Sequence, residues 1–179
     1  MADRAPANSN LCPKPMDDDW FEKVDQSKEI RTKLHFYFHD NATGEHQSVW
    51  VVAKSEITHI SPTNFGLIYM VDNLMTVGPE PSSEVLGRVQ GSPGFADLNN
   101  TAFALGLNFV FTEGKYKGSS ICVLGRNPVL EKVRELPIVG GTGVFRMARG
   151  IAITSTYFLD EPNNNVILEY TLYVTHYSD

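Results

Sequence analysis

This chain has little cysteine, a deficit of positive charge and no long apolar run. Two cysteines, Cys12 and Cys122, in 179 residues are too few for a disulfide framework and too isolated for a zinc site. Lys and Arg number 15 against 21 Asp and Glu, a net charge of −6, which argues against a nucleic-acid surface because phosphate contacts need clustered cations. No apolar run approaches the roughly 20 residues of a membrane-spanning helix. The start carries no signal-peptide apolar segment, as expected of a cytosolic chain or of a mature form whose leader has been removed.

Hydrophobic residues make up 42% and charged residues 20%, ordinary values for a globular domain that buries a substantial core. Residues 1–30 read as a polar leader: Pro6, Pro13, Pro15 and the Asp17-Asp18-Asp19 run leave little to bury. Trp20, Phe21 and Val24 fit one face of a short helix there. The expected barrel domain spans residues 31–179.

From residue 33 onward the pattern is strand after strand. In Leu34-His35-Phe36-Tyr37-Phe38-His39-Asp40, side chains two apart share a face, so Leu34, Phe36, Phe38 and Asp40 point one way and His35, Tyr37 and His39 the other. Phe103, Leu105, Leu107, Phe109 and Phe111 repeat the period, and the turn at Glu113-Gly114-Lys115 leads into Lys117–Leu124 as a hairpin. Phe145, Met147, Ile151, Ile153 and Tyr157 share a face, as do Val166, Leu168, Tyr170, Leu172 and Val174, with a turn at 160–165 between the two runs. Shorter strands are expected at Ser48–Lys54, Gly66–Val71, Ser83–Gln90 and Arg134–Val139. There is no βαβ spacing, so a parallel sheet is not expected. Short connections favour antiparallel neighbours, and closure removes exposed edges. The expected fold is all-β, an eight-stranded antiparallel up-and-down β-barrel, with a sandwich as second choice.

Two apparent motifs do not hold, and one charged residue calls for a partner. His35 and His39 have zinc-like spacing only on a helix; on a strand they stand roughly 13 Å apart. Gly140-Gly141-Thr142-Gly143 lacks the Gly-Lys-Ser/Thr ending of a P-loop, and position 146 is Arg, so a dinucleotide fingerprint is not completed. It reads as a turn between strands. Arg149, on the face of Met147 and Ile151, calls for a structural ion pair with an acidic residue. No nucleophile–base order and no redox-cofactor motif has local support, so no cofactor is expected.

The carboxylates most embedded in apolar strand sequence are Asp40 and Asp72, each readable either as a strand-end residue or as a pocket acid. Asn41-Ala42-Thr43 and Asn99-Asn100-Thr101 are sequons, making Asn41 and Asn99 glycosylation candidates in a secreted chain.

Five blocks carry a resemblance: Phe36-Tyr37-Phe38-His39-Asp40, Gly87-Arg88-Val89-Gln90-Gly91, Tyr116-Lys117-Gly118-Ser119, the run from Arg134 to Gly143, and Phe145-Arg146-Met147-Ala148-Arg149-Gly150. In this order, over roughly residues 33–177, they resemble the plant dirigent proteins. The resemblance implies an eight-stranded barrel, a homotrimer, secretion to the apoplast and a part in phenylpropanoid metabolism and plant defence. It implies no oxidation by the protein itself. An external oxidase supplies phenoxy radicals and the barrel imposes stereochemistry on their coupling, while other members resemble pterocarpan synthases, which cyclise a quinone methide formed by loss of water.

Residue by residue, the family's pocket acid matches Asp40 and its pocket arginine Arg134. A second pocket aspartate of lignan-forming members falls at Asn127, and two pocket tyrosines fall at Pro93 and Phe95. The C-terminal cysteine of the family disulfide has no counterpart before Asp179, which leaves Cys12 without its usual partner. These departures move the expectation toward the broader, non-lignan group.

The catalytic candidates are therefore Asp40 and Arg134: the first protonates a leaving hydroxyl or accepts a phenol proton, and the second steadies a developing phenolate. Burial should raise the Asp40 pKa and a nearby arginine lower it. Phe36, Phe38, Tyr69, Asp72, Phe95 and Asn127 are the candidates for contact with a small phenolic substrate. No nucleic-acid or membrane partner is expected. Two other classes compete: a non-catalytic, lipocalin-like carrier barrel, indifferent to loss of the Asp40 charge, and a wall or carbohydrate-binding module, which would need an exposed aromatic stripe.

Overall fold

The computed structural model describes residues 23–177 and is built almost wholly from antiparallel strands. They are β1 (Glu29–Asn41), β2 (Val49–Ala53), β3 (Ile68–Thr76), β4 (Val85–Gly91), β5 (Gly94–Phe95), β6 (Ala102–Phe111), β7 (Ser120–Pro128), β8 (Arg134–Thr142), β9 (Arg149–Asp160) and β10 (Asn165–Tyr177). Most of the helix expected around Trp20 lies outside the described residues; Val24–Gln26 forms a single 3₁₀ turn.

Neighbouring strands run β1-β10-β9-β8-β7-β6-β4-β3, and β3 pairs back onto β1 through Tyr37–Thr76, Phe38–Met75 and His39–Leu74. Eight strands thus close into a ring, as expected. The short β2 and β5 lie outside this ring order, β2 pairing with β3, and β5 with β3 and β6. The closing contact is only three residue pairs long, which makes β1–β3 the seam of the barrel.

Alternation fills the interior. Phe36, Phe38, Met75, Val89, Leu105, Leu107, Phe109, Leu136, Tyr170 and Leu172 are all buried. One end is plugged by Phe145, from the 3₁₀ turn at Gly143–Phe145, packed against Phe111, Tyr116 and His176. The Gly-rich segment 140–143, expected as a turn, instead ends β8 through Thr142, and only Gly143 enters the 3₁₀ turn that sets this plug. A Cβ on Gly141 would stand 2.5 Å from the Phe145 carbonyl oxygen, so only glycine lets the turn close. In mid-barrel, Tyr170 stacks on Phe36 and Phe38 with centroids 6.0 and 5.2 Å away, and Phe109 meets it edge-on at 5.3 Å.

Two expectations about strand faces need correction. β3 does not stop near Val71 but runs to Thr76, alternating Val71, Asn73 and Met75 inward. In β9 the inward residues are Ala152 and Thr154, while Ile151 faces out. The run from Phe145 to Tyr157 is not one strand face, because Phe145 lies in the 3₁₀ turn and Met147 turns with φ +55°. Small inward residues on β9 are what the barrel requires, since Phe36 and Tyr170 already fill that level. Arg149 does make the expected ion pair, with Glu29 at 2.5 Å.

Candidate active site

Asp40 is the last inward residue of β1. As a residue it is half-buried, but its carboxyl is surrounded by protein on nearly all sides. It borders a small cavity of about 40 Å³, walled by Phe38, Val71, Pro93, Phe103, Leu105, Leu107, Leu168 and Tyr170, with Asn73 and Asn127 as further polar side chains. Burial pushes its pKa up to about 6, and Asn73 holds it back from going further. The lowering influence expected from an arginine comes instead from this amide, whose Nδ2 donates to Asp40 Oδ1 at 2.8 Å.

Arg134 opens β8 and is 2% exposed. Its Nη1 donates to the Val129 carbonyl oxygen at 2.9 Å and to Thr156 Oγ1 at 3.2 Å. Its Nε and Nη2, which form one edge of the guanidinium, have no partner, and neither has the buried Asn127 Oδ1. Cross-strand register sets Arg134 beside Thr154 on β9, and Thr154 beside Tyr170 on β10. The Tyr170 hydroxyl, pushed by burial to a pKa of about 12, feels both the Arg134 charge and the Asp40 charge. Tyr170 therefore links the two expected catalytic residues electrostatically.

The remaining candidates divide. Phe38 and Asn127 line the cavity. Phe36 lies deeper, stacked under Tyr170. Tyr69 and Phe95 form an aromatic trio with Phe103, with Phe95 and Phe103 centroids 4.3 Å apart and Tyr69 at 6.3 Å from each. Burial, and after it the Asp40 charge, raises the Tyr69 pKa. Asp72 is not brought to the cavity: its neighbours Val71 and Asn73 are buried, so strand parity turns it outward, where Arg88 Nε holds it at 2.9 Å. Asn41 ends β1 with its Nδ2 donating to the His46 carbonyl oxygen at 3.4 Å, and Asn99 is exposed in the loop before β6.

Asn73, Phe103, Leu168 and Tyr170 belong to the site and were not singled out from the sequence. Parity was the available signal, since Asn73 stands between inward Val71 and Met75. A larger groove, of about 560 Å³, lies against β6 and β7 around Phe65, Leu98 and Arg126. Its acid, Asp97, is held well below the usual carboxylate range by Arg126 at 2.8 Å and by the Asn99 and Asn100 amides. That is an anion locked in an exposed ion pair, without the proton-donor character of Asp40. Among the described residues no group of His, Cys, Asp and Glu could hold a metal ion.

The fold and site define a class of protein: an antiparallel barrel with a carboxyl buried in a largely apolar interior. The dirigent-like protein family model matches residues 31–175, and the chain belongs to that family. It is 46% identical over 145 residues to dirigent protein 21 of Arabidopsis thaliana, covering 81% of this chain and 77% of that protein. Against pterocarpan synthase 1 of Glycine max the identity is 40% over 147 residues, covering 82% and 79%. The solved structure of the pterocarpan synthase dirigent protein GePTS1 superposes with a TM-score of 0.80 at 37% identity, covering 85% of this chain and 93% of that one.

Proposed function

We propose that this dirigent protein imposes stereochemistry on a phenolic substrate that reacts through a quinone methide. The single observation carrying this reading is the Asp40 carboxyl, enclosed by apolar walls and holding its proton to about pH 6. A neutral carboxylic acid can protonate a benzylic hydroxyl as its C–O bond breaks. As water leaves, the ring phenol gives its proton to solvent and its electron pair fills the gap, giving a quinone methide whose oxygen takes a proton back from solvent on ring closure. A second phenolic hydroxyl of the same molecule then adds to the exposed carbon and returns its proton to the Asp40 carboxylate. Substrate and product differ by one water, and Asp40 ends as it began.

The unpartnered edge of Arg134 offers two N–H donors suited to a phenolate oxygen. As charge develops on that oxygen, the guanidinium stabilises it without first giving up a protein partner. The cavity of about 40 Å³ holds no more than a few waters, so an aromatic substrate enters by displacing side chains. The Tyr69–Phe95–Phe103 trio at its edge supplies rings against which a substrate ring can stack.

Chiral chromatography tests the reading with two arms, an isoflavanol alone and a monolignol with an added oxidase. Enantiomeric excess in the isoflavanol arm supports cyclisation. Excess only with the oxidase transfers the reading to radical coupling, and racemic product in both arms leaves a carrier barrel. For location and assembly, the family resemblance supports a secreted homotrimer glycosylated at Asn41 or Asn99. Light scattering and a glycosidase mobility shift on plant-expressed protein test that.

A further inference from the structure

Past His39 and Leu74, continued pairing of β1 with β3 would set Asp40 opposite Asn73, but the backbones part there. Ser48, just ahead of β2, occupies the gap. Its N–H donates to the Asn41 carbonyl oxygen and its own carbonyl accepts from Asp72 N–H, both at 2.9 Å. The Ser48 hydroxyl oxygen accepts from Asn41 N–H at 3.3 Å and donates to Asn73 Oδ1 at 2.6 Å; the alternative acceptor, the His39 carbonyl oxygen, is 3.5 Å away. With its Oδ1 so engaged, the Asn73 amide turns its Nδ2 toward Asp40 Oδ1 at 2.8 Å. Asn73 is 1% exposed, so water cannot replace this bond cheaply.

We propose that Asn73, oriented by Ser48, is a positioning residue: it occupies one oxygen of the Asp40 carboxyl and leaves the other to exchange a proton with the substrate. The inference deepens the reading of Asp40 as the acid and rests on it. The Asn73 N–H bonds the charged carboxylate more strongly than the neutral acid, so it also trims the effect of burial and keeps the acid able to release its proton. The titratable groups that feel the Asp40 charge are two phenols, Tyr69 from β3 and Tyr170 from β10, both raised above their usual range and neutral wherever Asp40 titrates. His39 and Asp72 lie on the opposite faces of the same strands, tied to Thr76 and Arg88. Arg134 on β8 reaches this group only through Tyr170.

The test is a ¹³C NMR titration of the full chain labelled at aspartate carboxyls, with Asp40→Asn identifying the resonance. Asn73→Leu should move the Asp40 midpoint upward by about one pH unit or more. Ser48→Ala, which frees the amide to turn, should move it upward by less, and Ser48→Thr should restore it. In turnover, the pH limb should follow the same order, a change that a merely structural role would not produce. Unchanged midpoints in Asn73→Leu and Ser48→Ala, with melting curves intact, would overturn the proposal. Should Asn73→Leu not fold, Ser48→Ala with its threonine rescue decides. The titration needs no substrate: shifted midpoints uphold the positioning role even where no phenolic yields enantiomeric excess, a result that removes only the functional reading.

Discussion

Asn73 Nδ2 donates to Asp40 Oδ1 at 2.8 Å at the point where β1 and β3 separate. The site thus sits at the seam of the barrel, where ladder hydrogen bonds give out and side chains take over the pairing. A seam has polar backbone to satisfy and room for a turn to enter, and Ser48 serves both needs. Elsewhere around the ring the ladders are longer.

Asp40→Asn should remove the proton donor while keeping shape. Turnover of a phenolic benzylic alcohol should fall by about 100-fold or more, and the remaining product should approach racemic. Single-turnover kinetics with chiral detection measure both.

Folding stability should carry the mark of the same group. Its folded pKa of about 6 lies above the ordinary 3.8, so the folded chain binds this proton more tightly than the unfolded chain. Stability from this source is complete below about pH 4 and is lost as pH rises through about 6, by about 3 kcal/mol. Asp40→Asn should therefore melt higher than the parent at pH 7.5, and the advantage should vanish at pH 4. Thermal melts at the two pH values check the sign.

Arg134→Met should leave stability within about 1 kcal/mol, because two of the buried guanidinium nitrogens already lack partners. The rate should nevertheless fall by about tenfold or more, as the phenolate loses its donors. Arg134→Lys should not restore it, since an ammonium lacks the two-donor edge. Denaturant melts alongside kcat and KM separate the two effects.

Gly150→Ala should unfold the chain or cost about 3 kcal/mol. Gly150 has φ +152°, and a Cβ there would stand 1.9 Å from the Tyr173 carbonyl oxygen. Loss of the sharp thermal transition is the expected result.

How much of this was legible in the sequence varies from strand to strand. Period-2 alternation put Asp40 on the Phe36–Phe38 face, and burial of both phenylalanines agrees. The same rule failed at β3 because the polar pair Asp72-Asn73 reads as a strand end. Continued by two residues, it would have set Asn73 inward with Val71 and turned Asp72 out to Arg88. In β9 the large apolar residues misled, because the interior at that level is already full and needs Ala152 and Thr154. Ring closure at Tyr37–His39 against Leu74–Thr76 leaves no local trace, as contacts so distant along the chain impose no periodicity. Arg134 was found through resemblance, but its position relative to Asp40, bridged by Tyr170, required the three-dimensional register.

The central claim is that Asp40, as a neutral acid, directs one face of a quinone methide toward closure. Its most direct test is the enantiomeric excess of the cyclised product from an isoflavanol, read by chiral chromatography at pH 5 and pH 7.5 with the parent chain and with Asp40→Asn. The account predicts one dominant enantiomer from the parent, formed faster at pH 5, and near-racemic product from Asp40→Asn at both values. Equal enantiomeric excess from the two proteins would contradict it.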